Sequence, residues 1–202
     1  MFDVIDKITN FDGKVLRNII GLKLDGNLFD DLSDDPLDWH EAETATDFYN
    51  RFTISELQYH VIDYVFNQRI FPKSRFSDGS FPVWYGSLEL KTTFFETIYH
   101  WKRFLADSPE LIDDKYDRPI VNVRSVFSSF CQSSLVDLRD QITTLPSLLA
   151  KANYKDTQSI GLKLAREGFP GLVAKSARYL EGSNVAVFNK QVLKAPVHEN
   201  DY

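Results

Sequence analysis

Three side chains with useful chemistry follow one another at steps of 10 and 11 residues: Arg75, Tyr85 and Glu96. A guanidinium binds anions, a tyrosine ring stacks on flat groups, and a carboxylate stabilises a neighbouring positive charge. If the three meet in one pocket, they combine anion binding with stabilisation of positive charge. Whether they meet depends on the elements that carry them.

Each of the three also has an ordinary structural explanation. Arg75 could be a surface residue paired with Asp78, and Tyr85 could simply alternate across a strand. Thr93 and Glu96 have the spacing of a capping box, in which the glutamate bonds back to the start of its own helix. The residues alone leave these explanations open.

The pattern around these residues predicts a mixture of helices and strands. Apolar residues recur at intervals of three and four from residue 54 and again from residue 94, which predicts two amphipathic helices. Between them, the aromatic run 81–85 follows a Ser-Asp-Gly-Ser turn and predicts a short strand. The segment 118–130 predicts one or two further strands.

The last third of the chain continues this mixture. Residues 156–167 predict a helix that is closed by Gly168. A strand, a turn at 181–184 and a second strand are expected after it. Strands and helices without strict alternation indicate an α+β fold.

The beginning of the chain is less regular. Residues 1–24 mix apolar clusters with charges, and we expect a helix or two there. Nine acidic residues and no lysine or arginine lie between Asp25 and Asp47. We interpret this stretch as a solvated connector, with a docking surface for a basic partner as the alternative.

Composition limits the classes of protein. Of the 202 residues, 43% are hydrophobic and 14% aromatic, which is typical of a folded globular chain. The pI near 5.2 and the absence of a basic cluster argue against a general nucleic-acid surface. Cys131 is the one cysteine, which excludes an intramolecular disulfide. No apolar run long enough for a membrane span and no secretory signal is seen, so we expect a cytoplasmic protein.

Two segments carry an ordered motif: SRFSDGSFPVWYGSLELKTTFFETIYH and, further along, AREGFPGLVAKSARYLEGSNVAVF. The motif is an arginine–aromatic pair before a turn, a strand-end tyrosine, a glutamate in the next helix, then Ser-x-Arg before a strand ending in phenylalanine. Its positions are Arg75-Phe76, Tyr85, Glu96, Ser176 with Arg178, and Phe188. Over roughly residues 50–195 this pattern resembles the RES domain family.

The resemblance implies an ADP-ribosyltransferase-like α+β fold, a mixed sheet core flanked by helices. Residues 1–50 would form a partly helical extension with the acidic connector, and residues 51–202 the RES-like catalytic domain. RES proteins are toxins of toxin–antitoxin pairs that degrade NAD at the nicotinamide–ribose bond, some by hydrolysis and some with phosphate as acceptor. Their partner is an Xre-type helix-turn-helix antitoxin.

The resemblance also assigns roles to residues. Glu96 would stabilise the oxocarbenium-like transition state, and Arg75 would bind the pyrophosphate. Tyr85 would stack on nicotinamide or adenine, while Ser176 and Arg178 would contact a ribose or phosphate. NAD is then a substrate, inorganic phosphate a candidate co-substrate, and neither a cofactor nor a metal is expected, because nicotinamide leaves as a neutral base.

Several points stay open in the sequence. His100, one helical turn after Glu96, could neighbour the site, and Arg51 or Arg69 could add a phosphate contact. The segment 108–156 matches the family loosely, so water, phosphate or a protein remains the acceptor. The alternatives are a protein ADP-ribosyltransferase toxin and a non-enzymatic interaction module. No direct nucleic-acid or membrane contact is expected, and a homodimer is left open.

Overall fold

The computed structural model describes residues 7–20, 56, 58–109 and 122–202. Its strands are β1, Ile8–Ile20; β2, Trp84–Ser87; β3, Arg124–Asp137; β4, Gly171–Lys175; β5, Ser183–Val187; and β6, Val197–Asp201. A π-helical turn, Tyr59–Asp63, leads into the short helix α1, Tyr64–Phe66; the longer helices are α2, Leu90–Asp107, and α3, Lys155–Arg166. Short 3-10 turns lie at Arg139–Ile142, Pro146–Leu149 and Lys190–Val192.

The six strands form one mixed sheet in the order β1-β2-β5-β4-β3-β6. Strands β3 and β4 are parallel, and every other neighbouring pair is antiparallel. Strand β1 also pairs with β3, so the first five strands close on themselves. The prediction of an α+β fold is confirmed.

The expectation of helix near the start of the chain is wrong for the residues that the structure describes there. Residues 8–20 form β1, which pairs with β3 along its whole length, from Ile8 opposite Val136 to Ile20 opposite Arg124. Pairing with β3 gives backbone hydrogen-bond partners to alternate residues along this extended segment. The acidic stretch 25–47 lies outside the described residues.

Three smaller boundaries also differ from prediction. Strand β2 begins at Trp84, three residues later than the predicted 81–85. Strand β3 runs on to Asp137, beyond the predicted end at residue 130. Strand β5 begins at Ser183, inside the stretch that we assigned to a turn. The predicted helix closed by Gly168 is confirmed as α3, and Gly168 has the positive φ of 82° that such a cap needs.

Alternation along the strands separates two apolar clusters. Trp84 is buried on one face with residues of β1, β3, β4 and β5, and its indole Nε1 donates to the Val61 carbonyl at 2.8 Å. Tyr85, the next residue, packs on the opposite face against a cluster that includes Ile160 and Leu164 of α3. Strands β2, β3, β4 and β5 therefore contribute to both clusters, as a period of two requires.

Helix α2 is fixed at its start by a glutamate that precedes it. The Glu89 carboxylate accepts from the Thr92 hydroxyl at 2.7 Å and from the Ser183 backbone N–H at 2.9 Å. A Cβ on Gly182 would lie 1.9 Å from the Thr92 hydroxyl oxygen, so only glycine permits this approach. The helix is thereby joined to the β4–β5 turn.

No helix among the described residues is long and apolar enough to cross a membrane.

Candidate active site

A cleft of about 870 Å³ lies between α2, the loop 73–76 and the strands β1, β2 and β5. One carboxylate, Glu96, lines the described part of this cleft. Seven cationic side chains line it as well: Arg17, Lys73, Arg75, Arg103, Arg124, Lys175 and Arg178. The cleft is therefore suited to a ligand with several negative charges.

Glu96 is held by two donors on one of its oxygens. Its Oε1 accepts from the Ser176 hydroxyl and from Asn184 Nδ2, each at 2.7 Å. The Ser87 hydroxyl donates to Asn184 Oδ1 at 2.7 Å and so fixes which way the amide points. Within the described residues Oε2 has no hydrogen-bond partner, which leaves one carboxylate oxygen for a ligand.

The capping-box explanation of Glu96 is wrong. Helix α2 begins at Leu90, so Glu96 lies in its second turn rather than its first. The Thr93 hydroxyl donates to the Leu90 carbonyl at 2.7 Å and makes no contact with Glu96. The glutamate turns toward the sheet instead.

Arg75 lies along the same cleft as Glu96. Its Nη1 donates to the Leu148 carbonyl at 2.9 Å, and its guanidinium lies 4.9 Å from the centroid of the Tyr154 ring. Burial lowers the pKa of Arg75, an effect that Tyr154 and Glu96 partly oppose. Asp78 bonds to Ser80 rather than to Arg75, so the explanation as a surface ion pair does not apply.

Tyr85 supports the loop that carries Arg75. Its hydroxyl accepts from the Phe76 backbone N–H at 2.9 Å and shares a hydrogen bond with the Ser74 hydroxyl at 2.8 Å. Burial raises the pKa of Tyr85 to about 12. The ring lines the cleft, whereas the hydroxyl is engaged by the loop.

Ser176 is fully buried beneath the cleft and reaches it through Glu96. Besides donating to Glu96, its hydroxyl oxygen accepts from the backbone N–H groups of Arg178 at 3.1 Å and Tyr179 at 3.0 Å. The structure thus places Ser176 as a support for the carboxylate and the following turn.

Arg178 lines the cleft with unused donors. Its guanidinium lies 3.4 Å from the centroid of the Tyr99 ring, and its Nη2 donates to the Lys151 carbonyl at 2.8 Å and to the Tyr154 hydroxyl at 3.0 Å. In the part of the chain that the structure describes, its Nε and Nη1 are buried without a hydrogen-bond partner. Buried donors left unpaired are costly, so Arg178 favours a ligand with acceptor oxygens.

The three further candidates for the site, His100, Arg69 and Arg51, differ in their position relative to the cleft. His100 lines the cleft, and burial lowers its pKa while Glu96 opposes that shift. Arg69 is exposed and does not line the cleft. Arg51 lies outside the described residues.

Sequence reasoning missed several residues of the cleft. Asn184 falls in the segment assigned to a turn, and its partner Ser87 is 97 positions away. Tyr154 lies between two arginines from distant segments, and no local pattern marks it. Arg17 was not identified as a cleft residue because the segment that forms β1 was expected to be helical.

No group of three or more His, Cys, Asp or Glu side chains suited to a metal occurs among the described residues.

The family model of the RES domain matches residues 54–202. The chain belongs to the RES domain family. Among solved structures, a chain of the M. tuberculosis MbcT–MbcA toxin–antitoxin complex is similar, with a TM-score of 0.52 and 8% identity over 96% of this chain and 85% of that one. At this identity the likeness concerns the fold. No curated protein matches the chain by sequence. Strand β1 precedes the segment that the RES model matches.

Proposed function

We propose that this RES protein is the toxin of a toxin–antitoxin pair and cleaves the nicotinamide–ribose bond of NAD. The observation that carries the proposal is Glu96, held through Oε1 and open at Oε2, in a cleft whose other charged side chains, among the described residues, are Lys and Arg. Such a carboxylate stabilises positive charge on a sugar, while the cations hold its phosphates.

Bond cleavage follows from this arrangement. The bond between ribose C1′ and the pyridine nitrogen breaks, its electron pair stays with the nitrogen, and nicotinamide leaves neutral. Positive charge then lies on C1′ and the ring oxygen, where Glu96 Oε2 stabilises it. A water attacks C1′ and gives up one proton, which Glu96 accepts as a general base and then releases to solvent. The products are ADP-ribose, nicotinamide and a proton.

Preorganisation makes the carboxylate effective. Ser176 and Asn184 hold Oε1 before the ligand arrives, so little reorientation is needed as charge develops. Neither donor competes for Oε2. Both side chains therefore act as positioning residues for Glu96.

The pyrophosphate fits the two arginines whose side chains flank Tyr154. Arg75 and Arg178 come from distant segments and contact the same tyrosine. The unpaired Nε and Nη1 of Arg178 are donors that phosphate oxygens satisfy. Charge and hydrogen bonding together favour an anionic dinucleotide over a neutral sugar.

Family membership supports an antitoxin partner. The similar fold of MbcT occurs in a toxin–antitoxin complex, and we extend that kind of pairing, with an Xre-type antitoxin, to this chain. An antitoxin that covers the cleft would keep NAD from reaching Glu96.

Incubating the purified chain with NAD, with and without inorganic phosphate, tests the proposal. Nicotinamide with free ADP-ribose identifies hydrolysis, whereas nicotinamide with a phosphorylated ADP-ribose, formed only with phosphate, identifies phosphorolysis. Transfer of label from NAD to a protein identifies the ADP-ribosyltransferase alternative. Absence of nicotinamide release both with and without phosphate overturns the proposal.

A further inference from the structure

Two short patterns on different elements contact each other in pairs beside the cleft. On α2, Glu96 and Tyr99 are three positions apart, so they project from the same face of the helix. Directly after β4, Ser176 and Arg178 are two positions apart. The Ser176 hydroxyl donates to Glu96 Oε1 at 2.7 Å, and the Arg178 guanidinium lies 3.4 Å from the centroid of the Tyr99 ring. One face of α2 therefore carries the carboxylate and also contacts the arginine.

Three groups hold the guanidinium of Arg178. It lies over the Tyr99 ring, and its Nη2 donates to the Lys151 carbonyl at 2.8 Å and to the Tyr154 hydroxyl at 3.0 Å. Nε and Nη1 have no hydrogen-bond partner among the residues that the structure describes. The orientation of the guanidinium is thus set before a ligand binds, with two nitrogens left to donate.

Tyr99 influences a ligand through Arg178 rather than by contact. Arg178 is among the residues that line the cleft, whereas Tyr99 and Lys151 are not. The Tyr99 hydroxyl donates to the Lys151 carbonyl at 3.2 Å, the longest of the three hydrogen bonds that this oxygen accepts. Because a carbonyl oxygen has two lone pairs, the third and longest bond adds little. The ring of Tyr99 is therefore the part that holds Arg178.

An arginine that is held in place binds an anion more tightly than a free one. A free arginine side chain has many rotamers, and a ligand that binds it must restrict them. A guanidinium over an aromatic face has lost that freedom but keeps its charge and its N–H groups. The Tyr99 ring thus lowers the entropy cost of binding an anion at Arg178.

We propose that Tyr99 is a positioning residue that fixes the anion site at Arg178 relative to Glu96, and so favours nicotinamide nucleotides over the phosphate-free nucleoside. This inference rests on the proposed function, in which Glu96 lies beside ribose C1′ and Arg178 binds the pyrophosphate. C1′ and the nearer phosphate belong to one ribose 5′-phosphate unit, so the ribose ring limits their separation. A helix that carries Glu96 and holds Arg178 three residues later suits a unit of limited length.

A purely structural role for Tyr99 would be to fasten α2 to the segment 151–154. Such a role would affect every ligand of the cleft alike, and the hydroxyl bond to the Lys151 carbonyl would contribute to it. Positioning of Arg178 depends on the ring and affects only ligands that carry a phosphate. Variants that remove the ring or only the hydroxyl therefore separate the two roles.

Binding of ADP-ribose to the intact chain, measured by calorimetry, tests the inference without requiring turnover. Tyr99→Leu, which suits a helix but has no ring, is expected to bind about 10-fold more weakly than the wild type, and Tyr99→Phe about as tightly. Tyr64→Leu, at an exposed tyrosine of α1 outside the cleft, is the matched control and should bind like the wild type. Absence of binding by the wild type, equal binding by Tyr99→Leu, or a loss in Tyr99→Phe as large as that in Tyr99→Leu overturns the inference.

A double-mutant cycle shows whether Tyr99 acts through the arginine. In the Arg178→Gln background, Tyr99→Leu is expected to change ADP-ribose binding by less than about twofold, because the guanidinium that the ring positions is gone. A further loss of about 10-fold in the double variant would mean that Tyr99 acts independently of Arg178, contrary to the inference.

Turnover measures the specificity. The ratio of kcat/KM for NAD to that for nicotinamide riboside is expected to fall about 10-fold in Tyr99→Leu through a higher KM for NAD, because the riboside has no phosphate for Arg178. The kcat for NAD should change less than about threefold, since Ser176 and Asn184 still hold Glu96. A Tyr99→Leu chain that loses both kcat/KM values in the same proportion, or whose sole change is a lower kcat, contradicts the inference.

The two proposals fail separately. A chain that releases nicotinamide from NAD, but whose ADP-ribose binding is unchanged by Tyr99→Leu, keeps its function and loses the role of Tyr99. A chain that binds ADP-ribose more weakly in Tyr99→Leu but releases no nicotinamide retains the positioning residue and loses the proposed reaction.

Discussion

At the scale of single residues, the cleft depends on hydrogen bonds between side chains far apart in sequence. Glu96 is 80 positions from Ser176 and 88 from Asn184, yet both donate to its Oε1. The proposed chemistry therefore needs the carboxylate and also the two donors that hold it still.

Asn184→Ala is expected to lower kcat for NAD cleavage about 10- to 100-fold, because Glu96 loses one of two positioning bonds. KM should change much less, since the cations that hold the phosphates are untouched. Ser87→Ala, which acts through Asn184 alone, should give a smaller loss in the same direction. Steady-state nicotinamide release measures kcat and KM for both variants. Full activity in Asn184→Ala would show that Asn184 does not position Glu96.

Tyr85→Phe tests the support of the arginine loop. Without the hydroxyl, the Phe76 N–H loses its acceptor and Ser74 its partner, a cost of about 1–3 kcal/mol in the free energy of unfolding. The melting temperature should fall by roughly 2–4 °C for each kcal/mol. Tyr59→Phe, at an exposed tyrosine, should leave it unchanged. Equal melting temperatures for the two variants would show that the hydroxyl does not hold the loop.

At the scale of elements, the site is assembled where helices touch backbone directly. A Cβ on Gly161 of α3 would lie 1.9 Å from the Phe76 carbonyl oxygen, so the helix packs against the loop that carries Arg75. Helix α2 is joined to the β4–β5 turn through Glu89 and Gly182. Each contact fixes the distance between a helix and the loop or turn that it packs against.

Gly161→Ala separates packing from helix propensity. Propensity alone favours alanine by about 1 kcal/mol in a helix interior, whereas displacement of the loop costs about 1–3 kcal/mol. We expect net destabilisation together with weaker NAD cleavage. Chemical denaturation and nicotinamide release measure the two effects. Ser159→Ala, exposed on the same helix, is the control; a Gly161→Ala chain as stable and active as that control would contradict the close packing.

Elements and site were predictable from the sequence to different degrees. The helix that carries Glu96 and the Gly168-capped helix were predicted because their apolar period and cap are local signals. Strand β1 was not, because Phe11, Val15 and Ile19 recur every four residues, a spacing that fits one face of a helix and of a strand alike. Only pairing with β3, more than 100 positions away, decides between them.

Within the site, the motif residues could be predicted from the sequence, whereas the residues that hold them in place could not. Arg75, Tyr85, Glu96 and Arg178 line one cleft, and Ser176 bonds to Glu96 from below. Asn184 was missed because a Gly-Ser-Asn sequence favours a turn, whereas the structure continues it as β5. Long-range hydrogen bonds leave no periodic trace in a sequence.

At the scale of the whole molecule, the sheet closes only through β1. The RES match begins at residue 54, but β1 pairs with β2 and with all but the last residue of β3 and lines the cleft. Residues before the matched segment thus belong to the same folded body as Trp84 and Phe127.

Deleting residues 1–50 is therefore expected to abolish cooperative unfolding, because β3 loses its partner and the apolar cluster around Trp84 is opened. Near-ultraviolet circular dichroism during heating measures this. Deleting residues 1–6 leaves β1 whole and is the matched control. A 51–202 chain that melts cooperatively near the full-length temperature would contradict this expectation and support the predicted catalytic domain 51–202.

The most direct measurement for the central claim is nicotinamide release by Glu96→Gln beside Glu181→Gln, an exposed glutamate in the β4–β5 turn. Both substitutions are nearly isosteric, so matched melting temperatures confirm that the chains are folded. Loss of the charge beside ribose C1′ is expected to slow release at least roughly 1,000-fold in Glu96→Gln and to leave Glu181→Gln like the wild type. A folded Glu96→Gln chain that releases nicotinamide at the wild-type rate would contradict the account.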